Sequence, residues 1–113
     1  SAAYAAPTTG TAASVSVTVS GTKTALVTLS TVCSNSNAGK GCMMGVALSG
    51  VTTQAASDSF AAISQAETAV VNYSASRSFV VSLNSGTTTF TAQYRRGANT
   101  ATFLASDIIV QVF

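Results

Sequence analysis

The sequence predicts an all-β sandwich, and three observations carry that reading. Apolar residues alternate with Ser and Thr at a period of two through most of the chain. Turn signals built on Gly and Asn recur at a spacing of about ten residues. No run long enough to be a crossover helix separates the strands, which excludes a parallel α/β sheet. At 113 residues the chain has the size of a single domain.

Residues 1–13, with one Pro7 and one Gly10, show no periodicity and read as an extended N-terminal arm, with Tyr4 and Pro7 as its candidate partner-binding residues. Residues 14–113 form the sandwich domain. Ser14 to Ser20 places Val15, Val17 and Val19 on one face and hydroxyls on the other. A turn at Gly21-Thr22 leads into Lys23 to Val32, where Ala25, Val27 and Leu29 point inward and Leu26 breaks the pattern. These two runs are expected to pair as a hairpin.

Cys33 and Cys42 flank a segment of turn formers whose ends can meet as a hairpin loop. A disulfide there would stabilise by about 2.5–3 kcal/mol. It would suit an extracellular or particle-exposed protein; the alternative is two free buried thiols at strand ends. Cys42 to Ser49 puts Met44, Val46 and Leu48 on one side and the small Gly45 and Ala47 on the other, which implies close packing against that second face. Residues 51–59 read as loop. Ser59 to Ser64 and Thr68 to Tyr73 are weaker strands, in competition with a short helix over Gln54 to Gln65.

The C-terminal third is clearest. Arg77 to Leu83 alternates, Asn84-Ser85-Gly86 turns, and Thr87 to Arg95 sets Phe90, Ala92 and Tyr94 on one face. After Gly97-Ala98-Asn99, Thr100 to Leu104 and Ser106 to Phe113 supply the last strands. Ile108, Val110 and Val112 face one way and Ile109 and Phe113 the other, so the final strand is expected to be buried on both sides. About eight strands in all fit a jelly-roll-like antiparallel sandwich best. An immunoglobulin-like sandwich comes second, for want of a Trp between two distant Cys.

Composition narrows the function. Ser and Thr together number 34 and Ala 20, while there is no His and no Trp. Without His, catalysis by a Ser-His-Asp or Cys-His set is excluded, as is the usual Cys/His zinc site. Asp58, Glu67 and Asp107 leave little for paired-carboxylate chemistry, so neither an enzyme nor a cofactor or metal site is expected. The net charge of +2 comes from Lys23, Lys40, Arg77, Arg95 and Arg96 against those acids. Only Arg95-Arg96 is a cluster, and neighbours on a strand point to opposite faces, so nucleic acid is not an expected partner. No segment reaches the length of a membrane helix, and the first residues lack the basic and apolar regions of a signal peptide. Charged residues make up 7% of the chain against about 25% in ordinary soluble domains. A surface of Ser, Thr, Ala and Asn packs well against copies of itself, which points to an oligomer or lattice; the alternative is a small secreted domain with a hydroxyl-rich surface.

Thr89-Phe90-Thr91-Ala92-Gln93-Tyr94-Arg95, followed by Thr100-Ala101-Thr102-Phe103 and Asp107-Ile108-Ile109-Val110, resembles the end of small jelly-roll domains of the tumour-necrosis-factor and complement C1q type. Such domains occur in phage and bacterial surface proteins, including capsid decoration proteins and fibre tips. Cys42 to Gly50 looks like an earlier strand of the same kind. The resemblance implies a homotrimer with an apolar interface and no catalytic residues. Only the arm precedes the domain here, which favours a subunit seated directly on a surface over a stalked fibre tip.

The remaining patterns each have a plain counterpart. Tyr94-Arg95-Arg96 is a possible recognition or interface patch, or else a core or trimer-interface Tyr with arginines paired to Asp107 or Glu67 or in contact with a neighbour. Arg77 reads as a loop charge, and one of Met43-Met44 as core. Asn72-Tyr73-Ser74 matches a glycosylation acceptor. The Ser14/Ser16/Thr18 and Thr87/Thr89/Thr91 faces look like flat sugar- or ice-binding surfaces, or like ordinary solvent-facing strands. The expected function is a virion structural protein: a capsid decoration (cement) protein at the virion surface, homotrimeric, bound to the major capsid protein or another particle surface. The alternatives are a receptor- or carbohydrate-binding head using Tyr73, Tyr94 and the arginines, and an extracellular filament subunit.

Overall fold

A computed structural model describes residues 3–7, 10–36, 41–65, 72–96 and 101–113. They form seven strands and one short 3-10 turn: β1 (Ser14–Val19), β2 (Lys23–Asn35), β3 (Gly41–Gly50), the turn Asp58–Phe60, β4 (Ala61–Gln65), β5 (Tyr73–Leu83), β6 (Gly86–Arg96) and β7 (Ala101–Val112). One sheet has the order β1-β6-β3-β4 and the other β5-β2-β7, with every pairing antiparallel.

The alternation read from the sequence packs these sheets face to face. Val27 and Leu29 from β2, Phe79 and Leu83 from β5 and Ile108 from β7 meet Met44, Val46 and Leu48 from β3 and Phe90 and Ala92 from β6. All ten are buried, and none carries a polar side-chain group other than the Met44 thioether. Tyr94 and Phe103 close one end of this core across the sheets, with ring centroids 4.6 Å apart.

The central pairs β2–β5 and β3–β6 are those of an immunoglobulin-type sandwich, with β4 added beside β3. The terminal strands trade places relative to that order. β1 lies beside β6 and β7 beside β2, so the chain enters on one sheet and leaves on the other.

Several expectations change. β1 and β2 are not a hairpin: Gly21 (φ 74) turns the chain from one sheet to the other, because both strands must turn their apolar faces into the same core. The cysteine segment likewise joins opposite sheets. The helix over Gln54 to Gln65 is absent; Ala61–Gln65 pairs with Gly41–Gly45 along the free side of β3. Of the proposed strand Thr68 to Tyr73, residues 68–71 lie outside the described residues, as does the turn at Gly97-Ala98-Asn99. β5 starts at Tyr73 rather than Arg77, because Ser74 and Ser76 lie on the exposed face, opposite Val32 and Ser30.

The two last runs are one strand, β7, with Leu104 as an extra residue between Phe103 (opposite Cys33) and Ala105 (opposite Val32). The Thr31 hydroxyl donates to the Ala105 carbonyl at this bulge, 3.0 Å away. Seven strands among the described residues therefore stand where the sequence predicts about eight. β7 is also not buried on both sides: Ile109 is 57% and Phe113 71% exposed. A three-stranded sheet has only one core face, and none of the described residues covers the other.

Candidate functional site

The two outer faces of the sandwich are the candidate sites. On the β1-β6-β3-β4 face, the register sets Ser16 opposite Thr89 and Thr18 opposite Thr87, and their hydroxyls pair at 2.9 and 2.8 Å. The two Ser/Thr stripes seen separately in the sequence are thus neighbours that bond each other.

Farther along this face the arm is seated on its own domain. Ala5 exchanges backbone hydrogen bonds with Tyr94 (3.1 and 2.9 Å), and the Ala92 amide donates to the Ala13 carbonyl at 2.9 Å. The arm therefore extends the line of β1 along the free side of β6. Tyr4 lies over Gly45, whose missing side chain makes room: a Cβ there would stand 2.9 Å from the Tyr4 ring and 3.3 Å from Ala56. This is the close packing that Gly45 and Ala47 imply.

The Tyr4 hydroxyl donates to Asp58 Oδ1 at 2.7 Å, Arg95 Nη1 meets Asp58 Oδ2 at 3.1 Å, and the Arg95 guanidinium stands 5.9 Å from the Tyr4 ring centroid. Burial first, then the hydrogen bond to Asp58 and its negative charge, raise the Tyr4 phenol above its ordinary value, with Arg95 opposing. Tyr4 therefore stays a protonated donor. Arg95 pairs with Asp58 rather than with the expected Asp107; Glu67, the other expected partner, lies outside the described residues. Pro7 is half-buried. The backbone of Arg96 ends β6 opposite Cys42.

Beside the arm, Ala47, Gln54, Thr53, Gln93 and Tyr4 line a shallow depression of about 590 Å³. Gln54 is held there by paired backbone bonds with Leu48 (2.9 and 3.1 Å), and its side-chain Nε2 is buried without a hydrogen-bond partner among the described residues.

The β5-β2-β7 face is finished differently. Leu26 stands beside Val80 and Gln111, and Thr28 beside Ser78 and Ile109. Val80 is 62% exposed, and with Ile109 and Phe113 it surrounds Leu26 with uncovered apolar surface. Asp107 is the one charged residue on this face among the described residues. Toward the cysteine end the same face sinks into a trough of about 410 Å³ lined by Ser30, Val32, Ser74, Ser76, Ala105 and Asp107. Sequence reasoning missed this face, although Leu26 out of pattern and Ile109 and Phe113 on the wrong side were its signal.

Cys33 on β2 and Cys42 on β3 form a disulfide with their Cα atoms 6.5 Å apart, both buried. It ties the two sheets together rather than closing a hairpin. The other residues raised from sequence are scattered. Tyr73 pairs with Cys33 at the start of β5, Arg77 is exposed opposite Leu29, and Asn72 is exposed. Met44 is core, and Met43, on the opposite face, is also buried.

We found no significant match to this chain among protein-family models, curated proteins or solved structures.

Proposed function

We propose that this chain is a structural assembly subunit of a particle surface, with a capsid decoration (cement) protein as the specific case. The observation that carries the reading is the uncovered face of the three-stranded sheet. Monomers rarely leave a contiguous apolar patch on a face with so little charge. Val80, Ile109 and Phe113 are 62%, 57% and 71% exposed around Leu26. The opposite face is polar along β1 and β6, where hydroxyls bond each other, and its exposed apolar residue is Ile63 at the β4 edge. The disulfide between the sheets suits a protein that must keep its shape outside a reducing compartment.

The strand pairing supports the immunoglobulin-like sandwich over the jelly roll, so it gives the trimer implied by the jelly-roll resemblance no added support. Mechanically, the subunit would act through buried apolar area repeated over many copies, with avidity offsetting weak single contacts. Decoration of a particle is tested by mixing the purified protein with undecorated capsids. Saturable binding of the native chain supports the reading; a chain that binds no capsid at any concentration contradicts it.

The depression beside Tyr4 favours a second reading, a carbohydrate-binding head. Gln93 and Thr53, which line it, would hold a sugar hydroxyl there. Binding on a glycan array that disappears in Gln93→Ala would support that reading, and an array without binders would remove it.

A further inference from the structure

We propose that the outer face of the β5-β2-β7 sheet docks onto the same face of a second copy, around a twofold axis that crosses the strands at the level of Thr28. The inference rests on the reading of the chain as an assembly subunit and names the partner of its docking face.

The argument is self-complementarity. A twofold axis lying in the interface across the strands places each strand over its own copy and inverts positions about Thr28, Ser78 and Ile109. The register then puts large residues over small ones. Leu26 falls over Ser30, Val80 over Ser76, and Phe113, whose amide bonds the Thr24 carbonyl at 2.9 Å, over Ala105. Knobs at one end of the face thus meet the trough of about 410 Å³ at the other, twice per pair. Ile109 meets its own copy near the axis.

Charge agrees with this placement. Asp107 comes over Gln111, whose side-chain amide can donate to the carboxylate, and both sit on the edge strand β7, at the rim. Area agrees as well. Three strands spaced ~4.8 Å apart and about ten residues long present a footprint of roughly 500 Å². Two such faces reach roughly 1,000 Å², the size at which specific association begins.

Substituted cysteines test the geometry. Packed sheets stand ~10 Å apart, beyond the reach of a direct disulfide, so a short bis-maleimide is the probe. The native cysteines are paired and do not react. Ile109→Cys should cross-link to a covalent dimer. Val80→Cys and Ser76→Cys should each cross-link poorly alone but efficiently when the two variants are mixed. Ile109→Cys that stays uncross-linked, or Val80→Cys that cross-links to itself as well as it does to Ser76→Cys, overturns the proposal.

The native protein separates failure of this contact from failure of the reading beneath it. A trimer by light scattering would overturn the twofold pair and leave the assembly subunit standing. A chain that stays monomeric and binds no particle would overturn both.

Discussion

The two outer faces of this sandwich start from the same strand chemistry and end in opposite conditions. On the β1-β6-β3-β4 side, Ser16 and Thr18 bond Thr89 and Thr87, and Gly45 lets the N-terminal arm lie flat on the sheet. On the β5-β2-β7 side, Val80, Ile109 and Phe113 stand open around Leu26. Among the described residues the arm lies on one face and none lies on the other, which leaves that face open to another molecule.

Breaking what the two faces share has the largest effect. Phe90 is fully buried between the sheets, and Phe90→Ala should cost about 3–5 kcal/mol in denaturant unfolding. Replacing Cys33 and Cys42 together by Ala frees the sheets at one end. Its expected cost is about 2.5–3 kcal/mol, the chain entropy returned by a loop this short. A loss near zero would mean that the core alone holds the sheets in register.

The covered face is sharpened by Gly45→Val. Its side chain must displace the Tyr4 ring or strain the sheet, at a cost of about 1–3 kcal/mol. Amide exchange at Ala5 and Tyr94, which bond each other, should speed up selectively. Uniform destabilisation instead would mean that the arm is not what Gly45 accommodates.

The smallest effect is a pH response of the same clasp. Because the Tyr4 phenol is raised in the folded protein, its contribution is fully present below its unfolded value of 10.0 and is lost as pH rises through the folded value. Protection of Ala5 should therefore hold through neutral pH and fall in alkali. Tyr4→Phe should lose the hydrogen bond to Asp58, about 1 kcal/mol, and with it the alkaline transition.

The strands were legible because alternation is local: Val15, Val17 and Val19, or Phe90 and Ala92, declare an inward face whatever they pair with. Pairing was not legible, since Gly21 and Asn84-Ser85-Gly86 signal a turn without saying whether the next strand stays in the same sheet. At Gly86 (φ 118) the chain crosses from β5 to β6, and Asn84 is held by Thr52 and Val51 from a third segment, which no short-range pattern contains. The disulfide partners followed from there being two cysteines, but their role between sheets depended on topology. Within the candidate sites, the small face at Gly45 and Ala47 announced a covering group without naming Tyr4. Asp58 lay in a stretch read as loop, and only the fold brings it to Arg95. Ile109 and Phe113 were read correctly as a second apolar face and incorrectly as buried, because a sequence does not show how many layers cover a sheet.

The most direct test of the open face is the mass of the protein in solution across a concentration series, measured beside a variant carrying Val80→Arg and Ile109→Arg. Both positions are more than half exposed, so the variant should fold with nearly unchanged stability. The account predicts that the native chain rises to a multiple of 11.2 kDa and that the variant stays at or falls toward that value. A native chain that remains at 11.2 kDa throughout, or a variant that assembles as the native chain does, would contradict it.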